Sequence, residues 1–376
     1  MKGMCYFGSG FVPGEVEYEN GVITKAQEVP AAELTVGELE TYLLPGLVDI
    51  HLHGCMGVDF CDSALREGNE VLETMCDYEC SNGITSICPT TMTYDEERLT
   101  KIMHKARDLK GTAGPLKDRV IGVHLEGPFI SLAKCGAQNP KYIQAPNLAM
   151  LRRLQEESGG LVKLVAIAPE TDGAIECIRE GSEFQFSVAH TTADYDTALS
   201  AMQAGANHVT HTYNAMPPFL NRAPGVVGAA FDNRETFIEL IGDGVHVHPS
   251  VVRATFEMFG SERIVLISDS MEATGKPDGK YALGGQDVYK SGNLATLIDG
   301  TIAGSVTNLF ACMKSVISMG IPVEDAVRCA TINPARSIGV DAQVGSLEVG
   351  KRADLLVCDI DLNLRCVIAS GLEYGR

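Results

Sequence analysis

Apolar runs rich in Val, Ile, Leu and Ala recur along the chain at intervals of roughly 20 to 45 residues, at 44–50, 83–88, 120–125, 161–168, 184–189, 208–211, 237–242 and 264–268. Each is short and nearly continuous in its hydrophobicity, the pattern of a parallel strand buried on both faces. Between them lie segments with apolar positions at helical spacing: 69–80, 95–109, 147–157, 195–204 and 250–259. Strand and helix alternating eight times predict an α/β fold of the (β/α)8 TIM-barrel type.

Such a barrel needs about 250 residues, and the chain has 376. The remainder sits mostly at the two ends, where residues 1–44 and 341–376 alternate polar and apolar positions between turn residues. Both ends read as short antiparallel strands, and the economical arrangement is a small β-sandwich built from both termini, with the barrel at 45–340 inserted between them. Residues 276–301, glycine-rich with strand-like patches, predict a hairpin after the eighth strand that is placed to cover a site.

Catalytic groups of such barrels lie at the C-terminal ends of the strands. The first run ends in His51-Leu-His53, where residues two apart on a strand share a face and their imidazoles can converge on one ion. The third ends in His124-Leu-Glu126, the fifth in His190 and the sixth in His211; the seventh leads to Asp243 and His246, and the eighth ends in Asp269. Converging imidazoles and carboxylates are the donor set of a divalent Zn, Fe, Mn or Co ion. His124 shares the face of Glu126 but serves equally well as a group that orients a ligand. His104 reads as helix surface and His208 as core, and His248, beside His246, is open.

Composition narrows the partners. Thirty Lys and Arg against 49 Asp and Glu give a formal charge of -19, which disfavours general affinity for nucleic acid or anionic membranes. An anionic substrate would need a local cationic pocket. The 12 cysteines are scattered without a CxxC pair, as suits free thiols in a reducing cytoplasm. No run has signal-peptide or membrane-spanning character, so a cytoplasmic protein is expected.

Six segments carry a family resemblance: 45–54 (PGLVDIHLHG), 124–129 (HLEGPF), Ala189-His190, 211–217 (HTYNAMP), 243–246 (DGVH) and 268–270 (SDS). Together with Gly350-Lys-Arg-Ala-Asp-Leu355 they resemble the amidohydrolase superfamily, and within it the N-acetylglucosamine-6-phosphate deacetylases. The resemblance implies metal-dependent hydrolysis of the N-acetyl amide of that sugar phosphate, yielding glucosamine 6-phosphate and acetate in amino-sugar catabolism.

It also assigns roles. Glu126, His190 and His211 would hold a metal, with His51 and His53 available for a second ion, so one or two ions per subunit are allowed, zinc first among them. The lysine that bridges two metals in other members has no counterpart at the fourth strand's end, 166–170, and Glu126 would take that place. Asp269 would carry the proton, although a ligand or helix-capping role also suits Ser-Asp-Ser. Arg222 and His246 would contact phosphate; Ala137, Gln138, Asn214 and Ala215, and backbone near Ile302, Ala303 and Gly304, would contact sugar or acetyl. Some relatives carry histidine where this chain has Gln138, so carbonyl polarisation would rest more on the metal. Because one phosphate contact comes from a neighbouring subunit in related dimers, a homodimer is expected. The rival readings are another amidohydrolase, acting on an N-acyl amino acid or cyclic amide, and an inactive binding module.

Overall fold

In the computed structural model, which describes residues 1–112 and 115–374, the chain opens with β1 (Lys2–Tyr6), β2 (Phe11–Glu19), β3 (Val22–Glu28) and β4 (Tyr42–Pro45). The β2–β3 turn is Asn20-Gly21, both at positive φ (51° and 80°), the two-residue hairpin geometry that matches strand twist. β4 runs almost directly into β5 (Leu47–Leu52), every residue of which is buried, His51 included. A two-residue hairpin follows, β6 (Gly54–Cys55) with β7 (Val58–Asp59).

All eight expected parallel strands are present. β5 pairs in parallel with β8 (Ile84–Pro89). The other six form a curled parallel sheet of sequential neighbours: β9 (Val123–Leu125), β10 (Val162–Ile167), β11 (Gln185–Val188), β12 (Ala206–Val209), β13 (Phe237–Ile241) and β14 (Ile264–Ile267). Isolated parallel bridges join Ile87 to Val120, Thr90 to His124 and Leu52 to Ser270, across the gaps between the two sheets. The five expected helices lie at Glu70–Ser81, Glu96–Lys110, Leu148–Glu157, Tyr195–Ala204 and Pro249–Phe259. Their starts shift by about a residue where Asp95 and Asn147 act as caps, accepting from Arg98 N–H and Met150 N–H. Among the described residues no helix is long and apolar enough to cross a membrane.

The segment after β14 has one strand more than a hairpin. β15 (Gly279–Leu283), β16 (Gln286–Ser291) and β17 (Leu294–Thr296) form an antiparallel meander. Gln286 Nε2 donates to the carbonyl of Ala137 at 2.7 Å, tying the meander to the loop after β9.

β18 (Leu355–Cys358), β19 (Leu364–Ala369) and β20 (Leu372–Tyr374) return to the first strands, giving the order β20-β19-β18-β4-β1-β2-β3. The termini thus form one continuous seven-stranded sheet where two sandwich layers were expected. It curls on itself, because Val22 at the start of β3 bridges to Arg352, and Val16, Ile23, Leu43, Leu355 and Ile368 share one apolar core inside the curl. The Gly350-Lys-Arg-Ala-Asp-Leu355 string clasps this sheet to the parallel strands. Asp354 Oδ1 accepts from Arg119 Nη1 at 3.1 Å and from Ser370 N–H at 2.8 Å. Arg119, only 1 % exposed, also donates to the carbonyl of Thr85 in β8.

Candidate metal centre and its cavity

The alternation of β5 places His51 and His53 on one face, and Glu126 follows β9 directly. His190, His211 and Asp269 each stand two residues beyond their strands, at φ of 42°, 30° and 51°. Non-glycine residues in the left-handed region cost on the order of 1–3 kcal/mol each and persist only where the surroundings hold them. Here Ser131 N–H donates to His190 O (2.9 Å), while Asp269 N–H donates to His51 O (2.8 Å) and Asp269 O accepts from Ser305 N–H (2.7 Å). Gly127, after Glu126, has φ +81° and no room for a Cβ beside Thr93 Oγ1, so the glycine of HLEGP lets the chain turn just past the carboxylate.

The four imidazoles converge on Glu126. His190 and His211 bring Nε2 to 3.1 Å from its Oε1, and those two nitrogens are 3.1 Å apart. His51 Nε2 is 3.5 Å from Oε1 and His53 Nε2 is 3.4 Å from Oε2. Three of the rings have Nδ1 facing an acceptor: His190 the carbonyl of Lys134 (2.8 Å), His53 the carbonyl of Thr90 (3.2 Å) and His51 the carboxylate of Glu239 (3.0 Å). A neutral imidazole that donates from Nδ1 turns a bare lone pair out at Nε2. Lone pairs facing a buried carboxylate repel it unless a cation lies between, so this donor set fits a metal ion. The ligand atoms of Glu126, His190 and His211 lie within 4.8 Å of one another, as do those of His51, His53 and Glu126.

The charges agree. Burial opposes a charge on His51, but Glu126, Asp269 and Glu239 outweigh it and raise the imidazole to about 10. Burial likewise opposes ionisation of Asp269, yet His51 and His53 hold it down at about 2. Glu126, for all its burial, is held well below the carboxylate range by His51, His190 and His211. The carboxylate field that draws protons onto imidazoles also attracts a divalent ion, which must displace those protons to bind. His124 is different: burial, then His51, push it down to about 3, and the ring stands edge-on to His51 with centroids 4.7 Å apart.

Over this cluster opens a cavity of about 420 Å³, into which His53, Glu126, His190, His211 and Asp269 all face. Ala137, Gln138, Asn214, Ala215, His246, Ile302 and Gly304 line it as the sequence led one to expect. Ala303 is not among the lining residues and its side chain is fully buried in the core, so the contact expected there would be made by main-chain atoms. Arg222 does not line it either, because it lies exposed in the turn bridged by Leu220 and Ala223.

Gln138, expected beside the substrate carbonyl, has its oxygen and one amide hydrogen already engaged within the protein. Thr93 N–H can only donate, so it fixes the Gln138 oxygen (2.7 Å) and turns the amide nitrogen onto Glu126 Oε2, also at 2.7 Å. His246 Nδ1 bonds Asp243 Oδ2 at 2.7 Å, and this partner raises the imidazole above its ordinary pKa in spite of burial. His248 caps the helix Pro249–Phe259, accepting from Ser250 N–H. His104, on its helix, meets Glu157 at 2.6 Å, and His208 is buried.

Sequence reasoning missed Glu239, whose signal was a lone carboxylate inside the apolar strand Phe237–Ile241. It also missed the carbonyls of Thr90 and Lys134, which main-chain groups cannot announce in a sequence.

Residues 42–373 match the amidohydrolase family. The chain is 36% identical over 355 residues to the N-acetylglucosamine-6-phosphate deacetylase of Bacillus subtilis, covering 93% of this chain and 89% of that one. It is 32% identical over 361 residues to an N-acetylgalactosamine-6-phosphate deacetylase of Escherichia coli O157:H7, covering 95% and 93%. Among solved structures it superposes, with a TM-score of 0.91 and 31% identity, on an aspartate-to-alanine variant of the N-acetyl-D-glucosamine-6-phosphate deacetylase of Mycobacterium smegmatis in complex with N-acetyl-D-glucosamine-6-phosphate, over 100% of this chain and 98% of that one.

Proposed function

The chain belongs to the amidohydrolase family, whose members depend on metal, and from that premise we propose that it hydrolyses the N-acetyl amide of N-acetylglucosamine 6-phosphate to glucosamine 6-phosphate and acetate, in amino-sugar catabolism. The observation that carries this is the convergence of His190, His211, His51 and His53 on Glu126 with Asp269 beside them, under a cavity that His246 also lines. The two parallel sheets are read as one closed (β/α)8 barrel at 45–340, since parallel bridges cross both gaps; residues 1–44 and 341–376 make the second domain.

Glu126, His190 and His211 would hold one divalent ion, zinc first among the candidates, and His51 and His53 with Glu126 a second. When bound, such an ion supplies a lowered pKa for water and polarisation of the amide carbonyl. Asp269, ionised and 3.3 Å from His53 Nε2, takes a proton as water attacks the carbonyl carbon. It gives that proton to the amide nitrogen as the C–N bond breaks, so one carboxylate serves as base and then as acid. With one amide hydrogen of Gln138 on Glu126, carbonyl polarisation would rest mainly on the ion. His246, its positive form favoured by Asp243, receives the phosphate.

Arg222 makes no hydrogen bond or ion pair among the described residues, and Phe219 and Leu220 beside it are 48% and 53% exposed. This supports a homodimer in which Arg222 reaches the partner's phosphate site. None of the twelve cysteines is in a disulfide among the described residues, and ten are buried, which supports a cytoplasmic setting.

The test is acetate release by metal-stripped protein, with and without Zn, Fe, Mn or Co. Its substrates are N-acetylglucosamine 6-phosphate, the unphosphorylated sugar, N-acetylgalactosamine 6-phosphate and N-acetyl amino acids. Metal-dependent turnover favouring the first is expected. The galactosamine epimer is included because of the Escherichia coli relative, and turnover of an N-acetyl amino acid alone would move the assignment elsewhere in the family.

A further inference from the structure

We infer that Glu239 is a positioning residue for the metal centre: it fixes the His51 ring with Nε2 toward Glu126, and the ion position formed by His51 and His53 depends on it. The inference rests on the two-ion reading above.

Glu239 occupies the middle of β13, flanked by Ile238 and Leu240, and is completely buried. A carboxylate so placed in a parallel sheet is costly unless something compensates it, and an apolar residue would suit the strand better. Its Oε2 bonds His51 Nδ1 at 3.0 Å and accepts from His211 N–H at 3.2 Å, while Oε1 has no hydrogen-bond partner. It therefore touches two ion-holding residues, one through the ring and the other through the main chain at the strained φ of 30°. No other hydrogen-bond acceptor meets His51 Nδ1 among the described residues, and His124, packed edge-on at 4.7 Å, makes no hydrogen bond through either ring nitrogen. Without Glu239, nothing would select the tautomer that leaves Nε2 bare.

The geometry is the carboxylate–histidine–metal relay, in which the outer carboxylate orients the ring and raises its basicity, typically worth about 10- to 100-fold in metal affinity. His53 has a carbonyl in the same place, at 3.2 Å. The pair is thus supported unequally, with the charged partner behind His51.

The experiment is zinc titration of metal-stripped protein against a chromophoric chelator, with bound zinc per subunit counted by elemental analysis, for wild type, Glu239→Gln and Glu239→Met. Gln keeps an acceptor and loses the charge; Met keeps the volume and loses both. Wild type is expected to take two equivalents. Glu239→Gln should weaken the second roughly 10-fold and Glu239→Met roughly 100-fold, with the first equivalent within about threefold, because His211 is touched only through its main chain. The visible spectrum of the cobalt-loaded proteins should change at the second equivalent alone. Stripped Glu239→Gln should remain folded with a single cooperative melting transition, which separates positioning from general damage; if Glu239→Met does not fold, Glu239→Gln carries the test. Two equivalents bound as tightly in Glu239→Gln as in wild type would overturn the inference and leave the two-ion reading standing. One equivalent only in wild type would overturn both.

Discussion

Replacing Asp269 with Asn isolates the proton-transfer role. The two side chains have nearly the same shape, and the hydrogen bonds that fix the residue, Asp269 N–H to His51 O at 2.8 Å and Ser305 N–H to Asp269 O at 2.7 Å, are made by main-chain atoms. The variant should fold and bind substrate, since the side chain faces His51 and His53 at 3.5 and 3.3 Å. What disappears is a carboxylate held near pKa 2 and thus ionised throughout the working range. A positioned general acid or base contributes about 10²- to 10⁴-fold. Because one group serves both transfers here, the loss should fall in the upper part of that range, about 10³- to 10⁴-fold in kcat, or about 4 to 5.5 kcal/mol at about 1.36 kcal/mol per decade. Steady-state acetate release at saturating substrate reads kcat, and bound metal is counted in the same samples. A kcat within tenfold of wild type at full metal content would refute the assignment, as would a loss that falls entirely on KM.

The clasp at Asp354 offers a stability test: Asp354→Asn leaves the Arg119 guanidinium, 1 % exposed, without its counter-charge, at a cost of about 3–5 kcal/mol. With an unfolding entropy of roughly 2.1 cal/mol/K per residue over 376 residues, that lowers the melting temperature by about 4–6 °C; scanning calorimetry showing under one degree would contradict the buried pair. A pH prediction concerns His246, whose imidazole, though buried, is raised above its ordinary value by Asp243. Its charge, and the stability its partner confers, are fully present below the ordinary histidine pKa of about 6.5 and are lost as pH rises through the raised folded value. KM for the phosphorylated sugar should therefore climb on the alkaline side, and Asp243→Asn should move that limb toward acid; coincident profiles for the two proteins would remove His246 from phosphate binding.

What the chain disclosed in advance follows from where its information is local. A strand buried on both faces is a continuous apolar run, and the chemistry of this fold sits where such runs end, so His51, His53, Glu126, His190, His211 and Asp269 could be found without any contact map. Helix starts moved by about one residue because Asp95 and Asn147 stand outside the helix while capping it. The terminal sheet was legible as strands but not as one sheet, because its continuity depends on β1 pairing in parallel with β4 through two residue pairs, Met4 with Tyr42 and Cys5 with Leu43, which leave no mark in hydrophobic alternation.

The opaque part is the layer behind the ligands, and the reason is sequence separation. Gln138 suggested a substrate contact, yet the direction of its amide is decided by one main-chain N–H 45 residues earlier, at Thr93. Glu239 meets His51 across 188 residues, and whether a strand carboxylate faces inward toward a histidine or outward toward a helix depends on register, which slips by one residue as readily on paper as the side chain changes face. Arg222 is the limiting case, since it lies exposed outside the cavity and only the proposed homodimer would give its position a meaning. Candidate ligands announce themselves by residue type at strand ends; the groups that decide how such a side chain points are ordinary carboxylates, amides and carbonyls. Variation among relatives with the same ligand set should therefore be sought at positions such as Gln138 and Glu239, where one substitution can re-aim a ligand without removing it.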